Sequence, residues 1–324
     1  MFTQGSASIV LDGIVNLLKP PGMTSHDAVA AMRRMLGTRR IGHTGTLDPG
    51  AVGVLPLCVG KATRLVQFIQ ATQKSYRAEI TLGVETDTLD AAGKTTSVTT
   101  DFALPVSRLV DVMMSYQGEI LQTPPMVSSV RIAGERLYKA ARRGEVVERP
   151  PRPVHIYRLQ IVRIWPEDAL DLEFGSRILF DVDCSKGTYI RSLAADIGRD
   201  LGCGAHLSFL VRTASGPFHL ADTKTFEEIR EIIDKDGPEA VLQPMEAGVA
   251  HLPRFDLTRA ESKQIGHGQM IPAPHEAVDQ PYVRLHDETS GKLIAIASGT
   301  RRSGRPVWKP ICVLESSNEG AGAS

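Results

Sequence analysis

Residues 42–53 read Gly42-His43-Thr44-Gly45-Thr46-Leu47-Asp48-Pro49-Gly50-Ala51-Val52-Gly53, and no other stretch of the 324-residue chain constrains it as tightly. One carboxylate, Asp48, stands among small and turn-forming residues. Glycines open backbone conformations closed to other residues and let a ligand approach the main chain. Pro49 pushes Asp48 out of the right-handed helical region toward extended backbone. A loop of this kind sets one acid at the floor of a cleft. A bare Asp-Pro-Gly is usually an ordinary turn. Here the glycine-rich run continues on both sides, and His43 lies five positions before the acid.

The flanking segments frame this loop. Gly13 to Leu18 is a short apolar run that leaves into a turn at Lys19-Pro20-Pro21-Gly22. Ser25 suits a helix N-cap, Asp27 its first turn and Gly37 its exit, with Val29, Met32 and Leu36 facing inward. Arg33, Arg34, Arg39 and Arg40 crowd the end of that helix, suited either to dipole compensation or to phosphate contact. From Tyr76 to Val84 apolar and polar residues alternate, which predicts a half-buried antiparallel strand. Ser107–Met114 and Thr188–Leu201 read as helices, Val154–Trp165 and Arg177–Cys184 as strands. Strands with interspersed helices, not in strict alternation, predict an α+β protein rather than a doubly wound one.

Composition sets outer bounds. A chain this long holds one large core and a smaller second one. Lys and Arg total 37, as do Asp and Glu, so bulk positive charge cannot be what holds a nucleic acid. The charge is local instead. Between Pro124 and Pro153 stand Arg131, Arg136, Lys139, Arg142, Arg143, Arg149 and Arg152 against Glu135, Glu145 and Glu148. A net-basic insertion of about thirty residues is long for a mere connection and suits an arm lying on an RNA backbone. After Pro244, short strand-like pieces (Tyr282–Leu285, Lys292–Ala297, Trp308–Val313) predict a small β-domain. The Ser/Gly/Glu-rich end after Leu314 has the composition of a disordered tail. Cys58, Cys184, Cys203 and Cys312 form no Cys-x-x-Cys pair and fit reduced thiols. No signal-peptide pattern or membrane-length apolar run is visible, so a cytoplasmic location is expected.

Three long motifs carry a resemblance. Leu17-Leu18-Lys19-Pro20-Pro21-Gly22-Met23-Thr24-Ser25, Gly42–Gly53 with Gly60-Lys61-Ala62-Thr63-Arg64, and Cys184-Ser185-Lys186-Gly187-Thr188-Tyr189-Ile190-Arg191-Ser192-Leu193 occur in that order, followed by Gly204-Ala205-His206-Leu207. Together they resemble the bacterial tRNA pseudouridine-55 synthases. Leu18 departs from the pattern, since many members carry Asp there. The resemblance implies a mixed or antiparallel pseudouridine-synthase sheet flanked by helices over 1–245. It also implies a PUA-like RNA-binding β-domain over 246–315, leaving 316–324 as the tail. It makes Asp48 the essential carboxylate, Arg191 its cationic partner and Tyr76 the ring that stacks on a flipped uracil. By the same resemblance Tyr189 hydrogen-bonds substrate, Leu210 is an apolar wall, His43 contacts the RNA and Lys19 orders the catalytic loop. The partner implied is the T stem-loop of tRNA, gripped by the 124–153 insertion. The implied enzyme is a monomer without cofactor or metal.

The implied chemistry breaks the uridine C1′–N1 bond and remakes it as C1′–C5. One carboxylate suffices to begin, by attack on the base, by attack on C1′ or by stabilising positive charge there. Two other readings compete. A pure RNA-binding or chaperone protein needs no Asp48 chemistry. A glycoside hydrolase would pair Asp48 with Asp87 or Asp90, although both suit loop capping in Thr86-Asp87-Thr88-Leu89-Asp90.

Overall fold

The computed structural model describes residues 11–128, 130–132, 134–137, 143–145, 147–278 and 280–315. The first ten residues, Lys139 and Arg142 of the basic insertion, and the 316–324 tail lie outside the described residues. Among the described residues nine strands join one sheet. Its main path runs Gly13–Lys19, Val52–Val59, Ala205–Ser215, Lys74–Leu82, Arg177–Cys184, Arg152–Trp165, Gly118–Gln122. Ile41–His43 and Phe218–His219 attach to Val52–Val59 and Ala205–Ser215. Val52–Val59 and Ala205–Ser215 run parallel, and the other pairs are antiparallel. The fold is α+β with a mixed sheet, as expected.

Strand alternation decides which core each side chain enters. Val15, Leu17, Leu55, Leu57 and Val59 face a large core with Ala78, Ile80, Leu82 and the buried faces of helices Ser25–Met35, Val106–Ser115 and Ile190–Leu201. Ile14, Val54 and Cys58 point the other way, into a second cluster with Phe68, Ile69, Leu293, Ile296 and Cys312. The two strands nearest that edge are therefore buried on both faces, which is why they read as nearly unbroken apolar runs.

Local corrections have local causes. The first helix is capped by Thr24 rather than Ser25. Thr24 Oγ1 accepts from the Asp27 amide at 3.1 Å, and Asp27 accepts from the Thr24 amide at 3.0 Å. That reciprocal capping box requires the acid at the third helical position. The strand expected over Tyr76–Val84 is Lys74–Leu82. It ends at Gly83, which adopts φ +90°, and Val84 starts a separate hairpin with Thr95–Val98.

The basic insertion is tied at its base. Arg149 Nη1 donates to the Pro124 carbonyl at 3.1 Å, and Arg131–Ile132 pairs with Glu135–Arg136. Beyond it, five strands form a curled sheet of PUA-like kind in the order Arg254–Leu257, Val283–Asp287, Leu293–Arg302, Arg305–Val313, Ile271–Pro272. Its own core gathers Leu257, Ile265, Val283, Leu285, Ala295 and Trp308. The last two long strands run well past the apolar pieces seen in sequence and meet at a Ser303-Gly304 turn.

Candidate active site

Ser25 and Lys19 hold the Gly42–Gly53 loop. Ser25, buried at the helix start, accepts from the Leu47 amide at 2.8 Å and donates to the Leu47 carbonyl at 3.1 Å. Lys19 is fully buried, and its ammonium donates to the carbonyls of Pro20 and Met23 at 2.8 Å and of Pro49 at 3.3 Å. Burial pulls its pKa down to about 8, with Asp48 opposing and Arg212 reinforcing. Lys19 thus ties the loop, at Pro49, to the turn that follows the Gly13–Lys19 strand.

Asp48 faces a cavity of about 520 Å³ whose wall includes Lys74, Tyr76, Tyr189, Arg191, Leu210 and Arg212. That volume sits within the roughly 300–1,000 Å³ of small-ligand sites. Arg191 is buried, 3% exposed, although it sits in the first turn of the Ile190–Leu201 helix. Its Nε lies 2.8 Å from Asp48 Oδ2, and its Nη2 donates to Asp48 Oδ1 at 3.2 Å. Nη1 donates to the Thr88 carbonyl at 3.0 Å and Nη2 to the Val127 carbonyl at 2.8 Å. Burial raises the Asp48 carboxyl above its ordinary value; Arg191 works against that rise and Asp90 adds to it.

The phenols of Tyr76 and Tyr189 are likewise raised by burial and stay protonated at neutral pH. Tyr189 caps the Ile190–Leu201 helix, and Gln122 holds its backbone from both sides. Gln122 Oε1 accepts from the Tyr189 amide at 2.7 Å, and Nε2 donates to its carbonyl at 3.0 Å. Leu210, 8% exposed, forms an apolar wall. Asp48, Tyr76, Tyr189, Arg191 and Leu210 line the cavity; Lys19 does not, and neither does His43. His43 sits beside it, and its Nδ1 accepts from the Gly45 amide at 3.3 Å. Burial, Arg212 and His26 lower its pKa, so it is a neutral imidazole with its proton on Nε2.

Asp87 and Asp90 are loop-capping acids as expected: Asp87 accepts from the Lys94 amide at 2.8 Å, and Asp90 from Thr88 Oγ1 at 2.6 Å. Asp90 does more, since its Oδ2 lies 3.7 Å from Arg191 Nε. It stands behind the guanidinium, and neither acid is in the cavity wall. Asp48 is the only carboxylate among the described residues that line this cavity, so neither Asp87 nor Asp90 pairs with it across a glycosidic bond there. Gln122 and Arg212 do not stand out in sequence as site residues, and Asp90 stands out there only as a loop-capping or rival acid, not as a neighbour of Arg191. Their signal is spatial, because each acts on a residue more than fifty positions away.

Family models match the chain over residues 33–190 (TruB family pseudouridylate synthase, N terminal domain) and 191–250 (tRNA pseudouridylate synthase B C-terminal domain). The tRNA pseudouridine synthase B of Symbiobacterium thermophilum is 48% identical over 82% of this chain and 85% of its own.

The chain belongs to the TruB family of pseudouridylate synthases.

The Moorella thermoacetica tRNA pseudouridine synthase B is 49% identical over 88% of this chain and 93% of its own. Among solved structures, a Cbf5-Nop10-Gar1 complex matches with a TM-score of 0.72 at 29% identity, covering 95% of this chain and 86% of that one. An H/ACA RNP bound to a substrate RNA containing 2'-deoxyuridine matches at 0.70 and 28%, covering 95% and 87%. As a TruB-family member the protein is an isomerase of RNA uridine. Asp48, Tyr76, Tyr189, Arg191 and Leu210 converge on one cavity, with His43 beside it.

Proposed function

We propose that this TruB-family protein converts uridine 55 in the T-arm of tRNA to pseudouridine, with Asp48 as the essential carboxylate and no cofactor. The observation carrying the reading is the Asp48–Arg191 pair at the floor of a cavity walled by Tyr76, Tyr189 and Leu210. The target base leaves its stack at a cost of a few kcal/mol. Stacking on an aromatic ring returns about 1–3 kcal/mol per base, and Tyr76 supplies the ring. Leu210 packs against the base, and Tyr189 hydrogen-bonds it. Asp48 begins cleavage of C1′–N1, the detached base turns within the closed walls, and C5 bonds to C1′. N1 gains a proton as C5 loses one, so the mass of the RNA is unchanged. Arg191 keeps Asp48 ionised against desolvation. His43, neutral and beside the cavity, contacts RNA next to the everted base.

In this reading residues 1–245 are the catalytic domain, with the 124–153 insertion on the T stem-loop, and 246–315 is a PUA-like RNA-binding domain. The protein works as a cytoplasmic monomer. Among the described residues no helix is long and apolar enough to cross a membrane, and all four cysteines are free and buried.

The test is incubation with an unmodified tRNA transcript followed by chemical mapping of pseudouridine. A single new signal at position 55 supports the reading. A signal at another uridine overturns the position, and no signal with intact tRNA binding overturns the chemistry.

A further inference from the structure

Arg212 is 1% exposed, among the largest fully buried side chains of the protein, and it lines the same cavity as Asp48. A guanidinium cannot shed its charge, so burying one is costly unless its donors are satisfied. Its Nε donates to the Val54 carbonyl at 2.7 Å, Nη2 to Gly45 at 3.3 Å and Nη1 to Thr46 at 3.4 Å. Those carbonyls lie on both sides of Asp48, two just before it and one just after. The guanidinium therefore clamps the catalytic loop across its width.

Arg212 also faces Tyr76. The two are opposite each other on adjacent antiparallel strands, so their side chains share a face. The guanidinium acts on the Tyr76 phenol, opposing the upward pull of burial on its pKa. On its other edge Arg212 is the register partner of Gly53, where φ is +117° and an added Cβ would meet the Arg212 carbonyl oxygen at 2.2 Å. That close approach draws the two strands together and fixes where the guanidinium emerges.

We infer that Arg212 is a positioning residue that locks the Tyr76 ring and the Asp48 loop into one register, so that the everted uracil is stacked where the carboxylate can act. The inference rests on the proposed isomerisation and deepens it. Arg212 need not touch the base; it acts through the phenol and the three loop carbonyls. Misplacing reacting groups by about 1 Å costs on the order of a hundredfold in rate. Loss of the clamp therefore shows in the bound-state rate far more than in tRNA affinity.

The experiment compares wild type, Arg212→Lys, Arg212→Met, Tyr76→Phe and the Arg212→Lys/Tyr76→Phe double variant. Each is measured for single-turnover pseudouridine formation, tRNA dissociation constant and melting temperature. Arg212→Lys is expected to slow the single-turnover rate roughly tenfold or more while tRNA affinity stays within about threefold. In the Tyr76→Phe background, which lacks the hydroxyl, the same change is expected to cost much less. Additive losses in this cycle overturn the inference, as does a rate loss matched by an equal loss of tRNA affinity. If Arg212→Met does not fold, the Lys/Phe cycle still decides. If wild type forms no pseudouridine on tRNA, the proposed function fails before Arg212 is tested.

Discussion

The Arg191 Nε that lies 2.8 Å from Asp48 Oδ2 also lies 3.7 Å from Asp90 Oδ2, so one buried guanidinium stands between two carboxylates of unequal role. The Asp48 side chain keeps 39% of its surface exposed toward the cavity, whereas that of Asp90 keeps 23% and lies outside the wall. Arg191 thus pairs with the acid that faces the cavity and anchors itself on the other, with the Thr88 and Val127 carbonyls.

Replacing Asp48 by Asn keeps shape and removes charge. Pseudouridine formation is expected to fall below detection while the tRNA dissociation constant changes by less than about threefold. Chemical mapping and filter binding on the same preparation check both halves. A pure RNA-binding protein would show no change in either.

The Asp48 carboxyl is raised above its ordinary value of 3.8, chiefly by burial, and Arg191 holds the rise in check. Activity needs the ionised form, so the single-turnover rate should rise with pH through the raised pKa. Arg191→Gln should move that acid limb to higher pH and lower its plateau. Stability has the opposite slope from this group. The folded protein binds more protons than the unfolded chain just above pH 3.8, so the Asp48 contribution falls as pH rises there. A limb that stays in place in Arg191→Gln would refute the pairing.

Lys19 titrates at about 8 in the folded protein against an ordinary value of 10.5. Between those values the unfolded chain holds more protons, so the Lys19 contribution to stability rises with pH across that window and its burial penalty is complete below it. The difference in unfolding free energy between wild type and Lys19→Met should therefore grow in favour of wild type from about pH 7 to about pH 10. The variant leaves the Pro20, Met23 and Pro49 carbonyls without their donor, at about 1–3 kcal/mol for each one left buried and unpaired. Denaturant titrations at several pH values measure both effects.

Gly53→Ala puts a methyl group 2.2 Å from the Arg212 carbonyl at a φ that side chains rarely adopt. The expected cost is on the order of 1–3 kcal/mol from backbone strain alone, read as a drop in melting temperature. An unchanged melting temperature would mean that the two strands part without penalty.

Arg301, Arg302 and Arg305 stand exposed around the Ser303-Gly304 turn of the C-terminal sheet. If that sheet meets tRNA phosphates, replacing all three by Ala should weaken tRNA binding. The slope of log K against log salt should then shrink by roughly 0.9 for each phosphate no longer neutralised. A binding curve with the same salt slope would exclude the turn from the interface.

Much of this molecule is written locally. The loop around Asp48, the Ser25–Met35 and Ile190–Leu201 helices and the Lys74–Leu82 strand follow from turn residues, caps and apolar spacing, because those signals act over a few residues. What alternation could not supply is visible in Ala205–Ser215. A regular strand would turn Leu207, Phe209 and Val211 to one face. The register shifts between Leu207 and Phe209, so Leu207 opposes Ile80 while Leu210 opposes Ala78 and Arg212 opposes Tyr76. The bulge moves Leu210 and Arg212 to the cavity and leaves Phe209 47% exposed. Arg191, Asp90 and Gln122 likewise take their places only through segments far away in the chain. The chain by itself determined the acid, its loop and the helices and strands that carry them. Which cation guards that acid, and which side chains wall its cavity, was decided only when distant segments packed, because burial and pairing of charge belong to the assembled sheet.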